Sequence, residues 1–331
     1  MDNTPILTVS KPINEFIHHI DLKEFGQSRI LSSFIAEFDD FSLLLDCGSS
    51  LEVNKIFKYT RKHNIDLSSF KYLITTHHHF DHNGGMWKVY KKIKKYNPDV
   101  QIITNSLTKN LLNNYESHLN RAKRTFGEFI GEMRPIEEEA YTIIEPLQDF
   151  HQIPLNSFKA LDEFYIDDKK VKLAILKTPG HTPDHQCPIF IRDDKIEFCF
   201  FGEAVGTIYH SSELVTMPTS MPVYFNYQDY IKTLEQLKHL NPSLAGFCHF
   251  GAVKGEKNIQ GLLQEHENFM EEFRTKIIDL YEEKPHTKYI VEEITPYFEK
   301  RTDLKNSHPI LKNIILGVVY GMMMDLGYRK D

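Results

Sequence analysis

The sequence has few cysteines, no long hydrophobic run and no excess of positive charge. Its four cysteines, at positions 47, 187, 199 and 248, show no paired spacing, which favours reduced thiols and a cytoplasmic protein. The longest apolar run, residues 314–324, is shorter than the ~20 residues that a membrane-spanning helix needs. The first dozen residues lack the basic start and apolar stretch of a secretion signal. The net charge of −7 argues against binding nucleic acid through overall charge.

Short apolar segments that stop abruptly at a polar residue recur along the chain. Their β-branched and aromatic residues predict buried strands. These segments are residues 41–45, 72–74, 171–176, 196–201 and 244–248. Between them lie helical patterns at 51–63, 86–96 and 229–240. Strands that alternate with helices predict a layered α/β fold.

Two parts of the chain depart from this alternation. Residues 106–160 are polar and favour helices, which predicts a helical insertion over one rim of a main domain formed by residues 1–255. Residues 256–331 carry a long apolar stripe at helical spacing and predict a helical C-terminal extension. Its last helix is apolar nearly all round, which favours core packing over membrane contact or a dimer interface. A homodimer through the C-terminal helices is the alternative.

The strongest chemical signal directly follows the predicted strand at 72–74. Residues 76–85 read Thr-His-His-His-Phe-Asp-His-Asn-Gly-Gly. In an extended loop, residues two apart point the same way, so His77 and His79 can bind one metal ion. Asp81 and His82 come next and can bind a second ion. A chance occurrence of His-x-His-x-Asp-His is expected in only about a few such chains in a thousand, which disfavours a simple surface cluster of histidines.

At this motif the chain resembles the metallo-β-lactamase superfamily, and the resemblance extends over residues 15–255. Asp-Cys-Gly at 46–48 is similar to the early Asp-x-Gly of that family, and Thr-Pro-Gly-His-Thr at 178–182 is similar to its Pro-Gly-His-Thr loop. Glu203, in Phe-Gly-Glu, and His249, in His-Phe-Gly, stand where the family has its bridging acid and its last histidine. The resemblance implies an α/β fold, an αββα four-layer sandwich with the metal site along one edge.

Residue by residue, the resemblance implies two divalent metal ions. The first ion would be held by His77, His79 and His181, the second by Asp81, His82 and His249, and Glu203 would bridge them. Zinc is the favoured metal, with iron and manganese as alternatives. Asp81 and Glu203 are the expected catalytic carboxylates. Most relatives have Asp where this chain has Glu203, whose arm is ~1.5 Å longer, so it is open whether this side chain bridges the ions or turns away from them.

The resemblance further implies a hydrolase that uses a metal-bridging hydroxide on a small ester, lactone or thioester. Two alternatives stay open: a phosphodiesterase or nuclease of the same fold, and a di-iron redox or oxygen-sensing protein. Five lysines between residues 88 and 95 alternate with apolar residues, which favours a solvated helix face over a nucleic-acid contact. The expected partner is therefore a small-molecule substrate, with neither nucleic acid nor a membrane.

A few residues beside the motifs carry weaker predictions. Asp46 is expected to support the ligand loops by hydrogen bonding, and Cys248 to be a buried thiol. His185 is expected to orient a ligand or contact substrate, with an ordinary surface or core-edge histidine as the equal alternative. Tyr209 and His210 are candidates for the wall of the substrate pocket, or else inert loop residues.

Overall fold

Two seven-stranded β-sheets stack at the centre of the computed structural model, which describes residues 5–209, 211–305 and 308–330. The first sheet contains, in spatial order, β1 (Ile6–Leu7), β14 (Ala252–Lys254), β13 (Leu244–Phe247), β12 (Lys195–Gly202), β11 (Gln186–Arg192), β10 (Lys169–Lys177) and β9 (Asp162–Ile166). The second sheet contains β2 (Lys11–Pro12), β3 (Ile17–Asp21), β4 (Ser32–Glu37), β5 (Ser42–Leu45), β6 (Phe70–Ile74), β7 (Gln101–Thr104) and β8 (Tyr141–Ile143). Each sheet mixes antiparallel and parallel pairs: β5 to β8 run parallel, as do β12 and β13.

Helices cover both outer faces of the paired sheets. Helices α1 (Val53–His63) and α3 (Met86–Ile93) pack on the second sheet, while α6 (Tyr227–Lys238) and α7 (Glu256–Glu283) pack on the first. The other helices are α2 (Phe80–Asn83), α4 (Ser106–Asn113), α5 (Glu116–Phe126), α8 (Thr287–Glu299) and α9 (Pro309–Asp325). This arrangement confirms the predicted αββα sandwich with C-terminal helices.

The alternation of side chains along the strands explains the layers. In β5, Leu43 and Leu45 belong to the core between the two sheets, whereas Leu44 packs towards α1 and α3. All three side chains are fully buried, because successive residues of a strand point to opposite faces and both faces are covered here. The apolar run that predicted this strand therefore reflects two hydrophobic cores, one on each side of the sheet.

The sequence predicts a helical segment at 106–160, but only part of this segment is helical. After α4 and α5 it contains short 3₁₀ turns and then β8, which pairs in parallel with β7 at the edge of the second sheet. A three-residue strand in a polar context is too short to show a period of two, so hydrophobic pattern could not identify it. The C-terminal part of the segment thus extends the sheet, and its helical part lies near the metal-site motif.

The C-terminal helices form a further hydrophobic core with the loop at 217–225. The apolar helix α9 buries residues such as Val318, Val319, Met322 and Met323, in accordance with the prediction of core packing. Among the described residues, no helix is both long enough and apolar enough to cross a bilayer. A domain boundary at residue 255 and a homodimer through these helices stay predictions.

Candidate metal centre

The loops that leave four strands, three of the first sheet and one of the second, meet at one edge of the sandwich. His77 and His79 follow β6, His181 follows β10, Glu203 directly follows β12, and His249 follows β13. All five residues are buried, although each belongs to a polar loop. Rigid strands thus bring together side chains from distant parts of the sequence, as the motifs predicted.

Three imidazoles and one carboxylate form the first cluster. His181 Nε2 lies 3.3 Å from His77 Nε2 and 3.1 Å from His79 Nδ1. Glu203 Oε2 lies 2.8 Å from His181 Nε2 and 3.3 Å from His77 Nε2. Ligands placed tetrahedrally at ~2.0–2.1 Å from a zinc ion are about 3.3 Å apart. The spacing of these four groups therefore fits one metal ion.

Asp81, His82 and His249 form the second cluster. Asp81 Oδ2 lies 3.4 Å from His82 Nε2 and 3.3 Å from His249 Nε2. Glu203 also reaches this cluster, because its Oε2 lies 3.0 Å from His82 Nε2 and its Oε1 lies 4.0 Å from His249 Nε2. The longer glutamate arm thus points between the two clusters and does not turn away from them.

Hydrogen bonds fix the tautomer of three of the histidines. His181 Nδ1 lies 2.6 Å from the Thr219 carbonyl oxygen, and His249 Nδ1 lies 2.7 Å from the Ile30 carbonyl oxygen. A carbonyl oxygen can only accept, so each Nδ1 carries the proton and each Nε2 presents a lone pair to the cluster. Lone pairs that converge in this way repel one another, and a cation between them removes the repulsion.

Asp46 fixes the third histidine through Thr76. The Thr76 hydroxyl donates to Asp46 Oδ2 at 2.6 Å and therefore accepts from His77 Nδ1 at 2.9 Å. Asp46 Oδ1 also accepts from the Asn83 side chain at 2.8 Å, and Cys248 Sγ lies 3.3 Å from Oδ2. Asp46 thus supports the loop at 76–83 as expected, and Cys248 is a buried thiol.

His82 is the least satisfied histidine of the centre. Among the described residues, neither ring nitrogen of this fully buried side chain has a hydrogen-bond partner of good geometry. Burial opposes its protonation, but the nearby carboxylates of Asp81 and Glu203 raise the pKa of His82 to about 9. A positive charge is therefore favoured beside these carboxylates, and a metal ion fits that requirement.

The histidines of the first cluster have the opposite tendency. Burial lowers the pKa of His77 to about 3 and holds the pKa of His79 well below its usual value. Both rings are consequently neutral, which is the form that binds metal ions. Burial alone would raise the pKa of Glu203, but His181 and His82 hold it well below the ordinary value, so this carboxyl group is ionised.

Two glycines allow the ligand loops to approach their neighbours closely. Gly180 has a φ of +132°, and a Cβ atom there would lie 2.3 Å from the Cα atom of Tyr230. Gly202 has a φ of +59°, and a Cβ atom there would lie 2.6 Å from His185 Nε2. Residues with a side chain rarely adopt these backbone conformations. The positions of His181 and Glu203 thus depend on the glycine that precedes each of them.

His185 contacts the backbone of Glu203 and so positions this glutamate. Its Nε2 accepts a hydrogen bond from the Glu203 backbone N–H at 3.1 Å, while its Nδ1 lies 2.8 Å from Thr178 Oγ1. Tyr209 packs against His249, with ring centroids 5.6 Å apart, and lies in the wall of a cavity beside the centre. His210 lies outside the described residues.

Two residues at the centre were missed from the sequence. His118, on α5, stacks on His79 with ring centroids 5.1 Å apart and an interplanar angle of 3°. Its Nε2 accepts a hydrogen bond from the Phe80 backbone N–H at 3.2 Å. Glu24 is 1% exposed and lies in the wall of the same cavity as Tyr209. Neither His118 nor Glu24 belongs to a repeated or spaced motif, so only the fold reveals them.

Two cavities open beside the metal centre and share part of their walls. The larger cavity, about 120 Å³, lies between the centre and α5 and is lined by His118, Arg121, Thr125 and Phe126 among others. The smaller cavity, about 40 Å³, includes Glu24. Asp81, Glu203 and His249 contribute to both walls, so a molecule in either cavity would contact the centre.

Comparison with known proteins agrees with this architecture. A sequence model described as the metallo-beta-lactamase superfamily matches residues 27–249. A solved structure of an archaeal metallo-beta-lactamase superfamily protein from Sulfolobus tokodaii is 21% identical, with a TM-score of 0.56, over 77% of this chain and 86% of that chain. A B3 metallo-beta-lactamase with an active-site glutamic acid is 10% identical, with a TM-score of 0.51, over 81% of this chain and 91% of that chain. No curated protein matches the sequence.

Proposed function

Because the chain belongs to the metallo-β-lactamase superfamily, we propose that it is a metal-dependent hydrolase of a small ester, lactone or thioester. One observation carries the proposal: imidazoles and carboxylates that follow four strand ends converge in two adjoining clusters. The proposed ligands of one ion are His77, His79 and His181, those of the second ion are Asp81, His82 and His249, and Glu203 lies between them. We favour zinc, because imidazole and carboxylate ligands in hydrolases suit it.

Bound metal ions of this kind lower the pKa of water and polarise the bond under attack. The protein supplies the arrangement. Thr219 and Ile30 hold two of the imidazoles in the tautomer that presents Nε2, and His185 holds the backbone of Glu203. Asp81 is an ionised carboxylate next to His82, because His82 and His249 outweigh burial and hold its pKa below the usual value. Because its Oδ2 atom faces the second cluster, the other carboxylate oxygen of Asp81 is the one that can accept a proton during hydrolysis.

The walls of the two cavities favour a small apolar substrate. Phe80, Phe126 and Met221 line both cavities, and Ile314 lines the smaller one. Apolar walls bind acyl or alkyl groups. A phosphodiester would need several cationic groups, and Arg121 supplies one such group. The carbonyl substrates are therefore preferred over the phosphodiesters.

The test combines metal analysis with a substrate panel. The protein is purified without added metal and its zinc, iron and manganese are counted by elemental analysis. It is then assayed on p-nitrophenyl butyrate, γ-butyrolactone, a thioester and bis-p-nitrophenyl phosphate. We expect about two metal ions per chain and hydrolysis of carbonyl substrates that a chelator abolishes. Activity confined to the phosphodiester, or two irons with an oxygen-dependent absorption change and no hydrolysis, would contradict the proposal.

A further inference from the structure

Glu24 is a buried acid that the proposed metal chemistry does not use. Its side chain is 1% exposed, and among the described residues neither carboxyl oxygen has a hydrogen-bond partner. The residues on either side, Lys23 and Phe25, have φ values of 48° and 52°. Residues other than glycine adopt this left-handed backbone conformation at an energetic cost. The chain therefore holds an unpaired carboxyl group inside the protein by means of an unfavourable backbone turn.

Such a group is costly unless it has a partner. A buried polar group without a hydrogen bond loses its interaction with water and gains nothing in return. The charged neighbours do not supply a donor close by, because Asp81, Glu52 and Glu203 are themselves acids and Lys55 Nζ donates to the Lys23 carbonyl oxygen at 2.8 Å. A structural role would require a partner from the protein. The missing partner is consistent with a group that arrives from outside.

The surroundings of Glu24 show where that group would lie. Glu24 lines the smaller cavity, whose remaining wall combines the apolar side chains of Phe25, Phe126, Met221 and Ile314 with the ring of Tyr209. Asp81, Glu203 and His249 of the metal centre belong to the same wall. A molecule in this cavity would thus contact the metal centre, an apolar surface and one unpaired carboxyl group.

We propose that Glu24 is a specificity-determining residue that binds a protonated amine of the substrate. This inference rests on the proposed hydrolase function and narrows its substrate class to apolar esters, lactones or thioesters that carry an amino group near the bond that is hydrolysed. An amine meets what the site lacks, since an ammonium group donates three hydrogen bonds and pairs with carboxylates.

The electrostatics of the cavity agree with a cationic ligand. Burial raises the pKa of Glu24 well above its ordinary value. A negative charge on Glu24 is therefore unfavourable when it has no counter-ion. An ammonium group beside it offsets that cost, whereas a neutral hydroxyl group of the same size offsets little of it.

The deciding measurement compares two ligands that differ in one group. Binding of n-pentylamine and of 1-pentanol to the metal-loaded protein is measured by calorimetry at pH 7, where the amine is protonated. We expect the amine to bind at least about tenfold more tightly, the usual size of one charge-assisted hydrogen bond. Equal affinity, or tighter binding of the alcohol, overturns the proposal and indicates that a protonated Glu24 donates to a neutral acceptor.

Variants assign the preference to Glu24. In Glu24→Gln the preference for the amine should fall below about threefold, and in Glu24→Leu it should disappear while 1-pentanol still binds. Glu52→Gln is the matched control, because Glu52 is a buried acid nearby that accepts from Ser49 and does not line the cavity. The Glu52→Gln protein should keep the full preference for the amine over the alcohol. If Glu24→Gln and Glu24→Leu are folded, as thermal unfolding shows, and keep the preference, Glu24 is not the amine site.

Hydrolysis separates this proposal from the general one. Leucine p-nitrophenyl ester and 4-methylpentanoyl p-nitrophenyl ester have the same carbon skeleton and differ by the α-amino group. We expect the wild-type protein to have a kcat/KM at least about tenfold higher for the amino ester, Glu24→Leu to lose this ratio, and the control Glu52→Gln to keep it. Hydrolysis of both esters at equal rates contradicts the proposed role of Glu24 and leaves the hydrolase proposal standing. Hydrolysis of neither ester contradicts the hydrolase proposal, and the binding comparison still decides the role of Glu24.

Discussion

Thr76 donates two hydrogen bonds to Asp46, from its backbone N–H to Oδ1 at 2.7 Å and from its hydroxyl to Oδ2 at 2.6 Å. Because the hydroxyl proton is used in this way, the oxygen is free to accept from His77 Nδ1. The pair thus sets which nitrogen of His77 faces the metal centre, although neither residue reaches the centre itself. Partners of this kind determine metal affinity as strongly as some ligands do.

The first prediction concerns Asp46→Asn. An amide at this position accepts through one oxygen only and presents N–H groups where Oδ1 or Oδ2 accepted before, so one hydrogen bond of Thr76 is lost. We expect the affinity for zinc to fall about 10–100-fold, measured by competition with a chelator. Asp40→Asn, at an exposed position, is the control and should bind zinc like the wild type. Unchanged affinity in Asp46→Asn would show that Thr76 does not orient His77.

The second prediction concerns the histidines themselves. His79→Ala and His181→Ala each remove one nitrogen from the first cluster, and a site with so few ligands then holds its ion poorly. We expect each variant to lose most of its bound metal and of its hydrolytic activity, with the metal content measured by elemental analysis. His286→Ala changes an exposed histidine and should retain the metal of the wild type. Full metal content in both cluster variants would contradict the ligand assignment.

The third prediction tests the length of the bridging side chain. Glu203 Oε2 lies 2.8 Å from His181 and 3.0 Å from His82, so one oxygen reaches both clusters. Glu203→Asp withdraws that oxygen by ~1.5 Å, a large displacement compared with a metal–ligand bond of ~2 Å. We expect kcat to fall at least about tenfold, together with weaker binding of one of the two ions. Equal or higher turnover would mean that the longer arm is not required here.

The sequence was most informative where several proposed ligands follow one strand. The motif that contains His77, His79, Asp81 and His82 is contiguous. It directly follows a short apolar segment that predicts a buried strand. The distant His181 could be proposed as a ligand because its Pro-Gly-His-Thr loop has a specific pattern. These parts of the site are determined by local sequence, so they could be predicted before the fold was known.

Other features depend on tertiary packing and left no pattern in the sequence. His118 reaches His79 because α5 lies over this edge of the sandwich. Glu24 is buried in a cavity wall that also contains Phe25 and Phe126, whose ring centroids are 5.9 Å apart. The strand β8 is three residues long, which is too short for an alternating pattern. Such features follow from contacts between distant segments, and a single sequence does not contain them as a period or a motif.

The fourth prediction concerns the pH dependence of stability. His266, on α7, is fully buried between the side chains of Thr216 and Tyr230, and burial lowers its pKa to about 3. In the unfolded chain its pKa is about 6.5, so the folded state is stabilised above pH 6.5 and loses this stability as the pH falls towards 3. Between pH 7.5 and 5.5 we expect this one group to reduce the free energy of unfolding by about 1.4 kcal/mol.

Urea unfolding of the metal-free protein at the two pH values measures this loss. In His266→Gln, which cannot be protonated, the loss should be about 1.4 kcal/mol smaller than in the wild type. His239→Gln, at an exposed position, serves as the control for replacing a histidine. If His266→Gln has the same pH dependence as the wild type, this histidine is not held neutral in the folded state.

The fifth prediction compares two glycines. Gly180 has a positive φ, and a Cβ atom there would contact the backbone of Tyr230, so Gly180→Ala must move the loop that carries His181. Gly261 lies inside α7 with open space around it, so Gly261→Ala relieves only the entropic cost of glycine in a helix. We expect Gly261→Ala to raise the free energy of unfolding by about 0.5–1 kcal/mol. Gly180→Ala should lower it by more than that and weaken zinc binding as well. Thermal unfolding and a zinc titration of both variants decide the matter, because a Gly180→Ala protein with normal stability and normal zinc affinity would show that the loop at His181 tolerates a side chain before it.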